Sequence, residues 1–126
     1  MPATYEIDAN KRLVISRLWG GVTEDEVHDH NQRLRTDPKF DPSYKQLVDL
    51  TGITEILVGT KMINQTAADQ FFAPGTRRAF AASSDATFGL ARMFALRAEG
   101  GGQTIEVFRD LAKAEAWLGL TPEPSH

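Results

Sequence analysis

Few residues in this 126-residue chain have the type and spacing to do chemistry. The histidines His28 and His30 lie close to Glu24, Asp25 and Glu26. Glu24 and His28 are four residues apart, as are Glu26 and His30, and that spacing lets each pair share a helix face. The two pairs do not share one face, because residues 28 and 30 are separated by about 200° of helical turn. The cluster therefore reads as an acidic first turn, favourable to the helix dipole, with one half-buried histidine, His30. We expect neither a metal nor a catalytic group there.

The other reactive types are equally sparse. Gly100-Gly101-Gly102 is not followed by the Gly-Lys-Ser/Thr that a phosphate-binding loop requires, and no helix opens after it. Ser83 and Ser84 lack a Gly-x-Ser-x-Gly elbow, so helix capping accounts for them better than nucleophilic catalysis. There is no cysteine, which excludes a thiolate nucleophile, a disulfide framework and a cysteine-ligated zinc site. We expect a chain that is not an enzyme and uses no cofactor.

The elements that must position these residues follow from periodicity. Thr4 to Asp8 alternates with Tyr5 and Ile7 on one side, as an edge strand does. Arg12 to Trp19 is a second strand, apolar on both faces, with Leu13 and Ile15 opposite Val14 and Leu18. Gly20-Gly21 should end it. Thr23-Glu24-Asp25-Glu26 is a capping box that starts a helix running to about Arg35, before Asp37-Pro38 stops it. Gln46 to Gly52 reads as a buried strand that stops at a polar Asp-Leu-Thr-Gly loop, with Ile53 to Val58 a connection. A second helix enters at Gly59-Thr60 and carries Ile63, Ala67 and Phe71 at a spacing of four. Arg77 to Ala82 is a short strand, apolar after its two arginines. A third helix follows from about Ala86 to Arg97, then a strand from Thr104 to Phe108 and a helix capped by Asp110. Residues 1–120 should form a single domain and residues 121–126 a disordered C-terminal tail.

Two places could bind something. In open α/β sheets ligands sit beyond the carboxyl ends of the strands, where Thr51, Ser83, Ser84 and Arg109 would gather. Ser84 stands at a helix N-terminus that favours an anion, and Arg109 could supply a matching charge. The plainer alternative is that Asp85 and Asp110 cap helices and Arg109 is solvated. The third helix is apolar nearly all round, with Arg92 its only interior charge, so part of it should be covered by something beyond its own sheet. Phe88, Arg92, Met93, Phe94 and Leu96 would then be a homodimer face or the wall of a pocket for an apolar ligand, with core packing as the alternative.

Fourteen basic against seventeen acidic residues give a formal charge of −3, which argues against general attraction to nucleic acid or to an anionic membrane. No stretch approaches the roughly 20 apolar residues needed to span a bilayer. The first residues, Met-Pro-Ala-Thr-Tyr-Glu, lack the pattern of a secretory signal. A cytoplasmic protein is the expectation.

The succession of elements around Val48-Asp49-Leu50-Thr51-Gly52-Ile53 resembles the STAS fold of anti-sigma-factor antagonists, and more specifically its SpoIIAA-like branch. The resemblance extends from about Tyr5 to Leu120. It is carried by the Val-Asp-Leu strand, the Arg-Arg-Ala strand, the Phe88 to Phe94 helix, Val107 to Asp110, and Ala116 to Leu118. It implies an α/β fold with a single five-stranded mixed sheet and about four helices. In those antagonists a serine in an Asp-Ser-Ser-Gly motif is phosphorylated. Here Leu57-Val58-Gly59-Thr60 occupies that place, and Thr60 is the only nearby hydroxyl that could be modified.

The resemblance also implies kinship with sheet domains that bind lipids or other apolar ligands. The leading expectation is a non-enzymatic binding or regulatory module whose partner is itself, as a homodimer, or another protein. One alternative is a carrier or sensor of a small apolar or amphipathic, lipid-like ligand. A phospho-switched anti-sigma-factor antagonist is the other.

Overall fold

The computed structural model describes residues 3–120. The tail expected over 121–126 lies outside the described residues. Five strands, β1 (Ala3–Asp8), β2 (Leu13–Thr23), β3 (Lys45–Leu57), β4 (Arg77–Ala81) and β5 (Thr104–Phe108), form one sheet in the order β1-β2-β3-β4-β5. β1 is antiparallel to β2, and the remaining pairs are parallel. The helices are α1 (Glu24–Arg35), α2 (Thr60–Ala68), α3 (Asp85–Glu99) and α4 (Leu111–Trp117). This is the expected α/β architecture, a five-stranded mixed sheet with four helices.

The strand alternation sorts the core into two layers. On one face Leu13, Leu47, Ala79 and Ala81 meet Ala114 and Leu118 of the α4 segment. The alanines let that seven-residue helix approach closely, and its C-terminal carbonyls accept from Lys45 Nζ and Arg77 Nη1. Cations at that end also suit the helix dipole. On the opposite face Val14, Leu18, Val48, Leu50 and Phe80 lie beneath α1, α2 and α3. The Thr23–Glu26 capping box forms as expected, with the Thr23 amide donating to the Glu26 carboxylate at 2.8 Å.

Two strand ends differ from the expectation. β2 does not stop at Gly20-Gly21 but continues to Thr23 through register shifts at Arg17/Trp19 and Gly20/Gly21. Gly20 adopts φ +67°, a conformation open to glycine, so the strand bends there and carries on. β3 does not stop at Gly52 and runs to Leu57. Its turn-like sequence has other causes. The Asp49 carboxylate accepts from the Thr51 amide and hydroxyl at 3.0 and 2.6 Å, a local bond of the kind that also builds turns. Gly52 faces Trp19 across the ladder, and a Cβ there would sit 3.0 Å from the Trp19 Cβ.

That close approach makes Gly52→Ala an overpacking substitution in the middle of the β2–β3 ladder. We expect a loss of about 1–3 kcal/mol, read as a lower urea midpoint. An unchanged midpoint would show that the two strands separate without cost.

Candidate functional site

A cavity of about 120 Å³ lies between the sheet and helices α1, α2 and α3. Its origin is the placement of α2. Ala67 is the buried residue of that helix, and with Ile63 it packs against Phe94 and Ala98 of α3. α1 holds α2 at both ends. Glu24 at the start of α1 accepts from the Gly59 amide at 3.0 Å. Arg35 at the end of α1 pairs with the Asp69 carboxylate at 3.0 Å and stacks over Phe71 at 4.6 Å. Between these ties Val27 and His30 of α1 face the same space as Met62, Ile63 and Thr66 of α2. Asp69, exposed to solvent, belongs to the lining and marks the rim.

The cavity has two chemically different ends. The later residues of β2 and β3, Leu18, Leu50 and Ile53, together with Phe80, make one end apolar. Earlier in the same strands, Ser16, Gln46 and Arg78 form a buried polar row across β2, β3 and β4. Arg78 Nε donates to Gln46 Oε1 at 3.0 Å. Gln46 Nε2 donates to Ser16 Oγ at 3.1 Å, and Ser16 Oγ lies 3.0 Å from His30 Nε2. His30 Nδ1 lies 2.9 Å from Asn31 Oδ1, an acceptor. These contacts satisfy one direction of donation. His30 carries its proton on Nδ1, and Nε2 accepts from the Ser16 hydroxyl. Tyr5 of β1 meets the His30 ring edge-on, with centroids 5.8 Å apart.

Arg78 is the chemical centre of this row. It is 5% exposed, and its guanidinium stacks on Phe72 at 4.3 Å. Nη1 donates to Gln70 Oε1 at 2.5 Å and to Gln103 Oε1 at 3.2 Å. Three amide oxygens thus receive the charge, and among the described residues no carboxylate pairs with it. Burial pushes its pKa down to about 9, which leaves it a cation at neutral pH. Sequence reasoning passed over Arg78 as the polar start of an apolar strand. Period-two alternation was the available signal, since it puts residue 78 on the same buried face as Phe80 and Ala82.

The residues expected to form a crevice beyond the strand ends gather in part, with Thr51 not beyond a strand end. Thr51 lies inside β3, with its carbonyl 3.5 Å from Ser83 Oγ. Ser84 caps α3 by accepting from the Thr87 amide. Arg109 donates to the Ser83 carbonyl at 3.2 Å and to the Asp85 carboxylate at 2.7 Å, and it lies 4.1 Å over Phe88. Thr51, Ser83 and Arg109 do come together, but Arg109 already has a carboxylate partner.

The five α3 residues do not form one face. Phe94 is buried against Phe80, Phe88 packs on the core beneath Arg109, and Met93 is half-buried. Arg92 is exposed, and Leu96 is 63% exposed. The inward stripe is Thr87, Ala91, Phe94 and Ala98, and Leu90 turns toward the cavity. His28 is exposed and His30 is committed to Ser16 and Asn31. Among the described residues no group of three or more histidine, aspartate or glutamate side chains could hold a metal. Thr60 is exposed at the first turn of α2, beside the amide that Glu24 occupies.

No protein-family model matches the sequence, and no curated protein does. Solved structures do match the fold. One is an uncharacterized protein of the DUF3478 family with a SpoIIAA-like fold from Shewanella loihica PV-4. It has 14% identity and a TM-score of 0.61, with 92% of this chain and 93% of that chain covered. Another is an anti-sigma factor antagonist from Mycobacterium paratuberculosis, with 13% identity and a TM-score of 0.62 over 93% of this chain and 94% of that chain. The chain has the SpoIIAA-like, STAS-type fold. Among the described residues no helix is long and apolar enough to cross a membrane.

The His30 network predicts a pH dependence. Burial is the largest cause acting on His30 and lowers its pKa; Arg33 acts in the same direction, while the Asn31 bond and Asp29 oppose it. The unfolded chain therefore takes up this proton first as pH falls. The stability contributed by neutral His30 is complete above about pH 6.5 and is lost as pH falls through the lower folded value. Asp37 and Asp41, held low by the Lys39 and Ser43 amides, titrate below this range. Urea midpoints of the wild type should fall as pH drops below about 6.5, and His30→Gln should flatten that fall. Equal slopes in the two proteins would refute the assignment.

Proposed function

We propose that the chain is a binding domain for a small amphipathic ligand held in the cavity beneath α1, α2 and α3. The observation that carries this reading is the cavity itself, which is apolar at Leu18, Leu50, Ile53 and Phe80 and polar at Gln46 and Arg78. An apolar site of about 150 Å³ accommodates a benzene-sized molecule, so the volume here suits a ligand of similar bulk. Apolar walls with a few fixed polar groups are the usual composition of a small-molecule site, since burial supplies affinity and the polar groups supply orientation. The reading is of binding without catalysis. His30 is consumed in structural hydrogen bonds, and among the described residues no nucleophile faces the cavity beside a free base.

Hexanol is a suitable neutral probe of the cavity. Its addition should shift the amide resonances of Leu50, Ile53 and Ala91 in a saturable way. Ala91→Leu, which extends a buried cavity-lining side chain into the space, should abolish the shifts while the variant stays folded. Absence of saturable shifts in the wild type would sink the reading.

A second reading, docking of a protein partner or a second copy, is favoured by the arm where β2 and β3 run past the last β3–β4 pair, Asp49 and Ala81. Trp19 and Leu57 on this arm are 42% and 52% exposed. The fold shared with an anti-sigma factor antagonist supports it as well. Self-association through the arm predicts a mass by light scattering that rises with concentration and a return to monomer in Trp19→Ser. A constant monomer mass would count against the homodimer.

A further inference from the structure

The ligand class can be narrowed from the donors that Arg78 leaves free, an inference that rests on the cavity reading above. A guanidinium offers five N–H groups. Nε and Nη1 spend three of them on Gln46, Gln70 and Gln103. Nη2 has no hydrogen-bond partner among the described residues. It is not sealed away, since the one fully buried side-chain nitrogen without a partner among those residues is Arg35 Nε. Arg78 lines the cavity and is otherwise buried, so the free edge of its guanidinium faces that space.

The charge at this edge is uncompensated. Asp69, the carboxylate in the lining, is at the rim and paired with Arg35. Gln46, Gln70 and Gln103 supply dipoles without a full negative charge. A buried charge lacking a counterion is costly, and an anion entering the cavity removes that cost while gaining a charge-assisted hydrogen bond. A cation would meet repulsion. A phosphate dianion would bring a second negative charge and more acceptors than two free N–H groups can satisfy, whereas a carboxylate matches the single charge and can accept from Nη2.

We propose that the ligand is an apolar monocarboxylic acid and that Arg78 is its anchor. The carboxylate accepts from Nη2 at the polar end of the cavity, and the hydrocarbon body, no more than about six carbons given that a slightly larger site holds a benzene-sized molecule, lies toward Leu50, Ile53 and Phe80. The three glutamines fix the guanidinium in its plane and turn its free edge inward. They act as positioning residues.

The test uses three probes of equal length, hexanoate, hexanol and hexylamine, titrated near neutral pH and followed by calorimetry and by the cavity amide resonances. Hexanoate should bind at least about tenfold tighter than hexanol, the difference expected for one charge-assisted contact, and hexylamine weakest. Arg78→Met should erase the preference for hexanoate. Should that variant not fold, Gln70→Glu places a carboxylate on the same guanidinium and should weaken hexanoate by about tenfold while leaving hexanol unchanged. Equal binding of hexanoate and hexanol in the wild type would overturn the anchor and leave the cavity reading standing. No saturable binding by any of the three would overturn both.

Discussion

A buried guanidinium held by neutral oxygens constrains this domain more than any other contact. Arg78 sits within the parallel part of the sheet, where water has little access, and finds protein acceptors for three of its five N–H groups. Its acceptors come from three separate places: Gln46 in the neighbouring strand, Gln70 just after α2, and Gln103 just before β5. Gln70 in turn donates to the Thr66 and Ala67 carbonyls at the end of α2, and Gln103 to the Phe72 carbonyl. The connections flanking α2 and α3 are thereby fixed to β4. Leaving any of these buried polar groups unpaired costs about 1–3 kcal/mol, so the row acts as a register device as much as a source of stability.

The same row explains why the two sides of the sheet differ. On the α4 side, alanines and leucines interdigitate and nothing polar needs room. On the other side the polar row must be matched in place and cannot simply be packed with aliphatic side chains. α2 rests on α3 and is tied to α1 through Glu24 and Arg35, at its two ends. The fully buried residue of α2 is Ala67, in its last turn, while Met62, Ile63 and Thr66 border the space without filling it. The space between is a consequence of where the hydrogen bonds lie and of which residues α2 presents.

Much of the fold could be read from local signals. The capping box at Thr23, the alternation of Tyr5 and Ile7, and the Asp110 cap each specify their element with information from a few neighbouring residues. The strand ends could not, because Gly20 and Gly52 answer to the partner strand and only look like breakers when read singly. Thr51 reads as lying beyond a strand end for the same reason, whereas β3 carries it in its interior. The α3 residues were grouped by composition, whereas the burial stripe selects Thr87, Ala91, Phe94 and Ala98 and sends Leu96 outward. Arg78 was the largest omission. A charge next to a second arginine resembles a solvated strand end, and only the alternation continued from Phe80 and Ala82 separates Arg78, which points inward, from Arg77, which points to the α4 side.

α2 is also the element on which a phosphate at Thr60 would act. Its N-terminus already holds an internal anion, because the Glu24 carboxylate accepts from the Gly59 amide. A phosphate on the adjacent Thr60 would compete for the same amide and add like charge beside Glu24, opposing the favourable dipole that a free helix N-terminus offers. The cavity meets α2 from the other side, through Met62, Ile63 and Thr66. An occupant there would touch the helix along its length, between the two ties to α1, without disturbing either. The two ties to α1 and the lining of the cavity therefore engage different parts of α2.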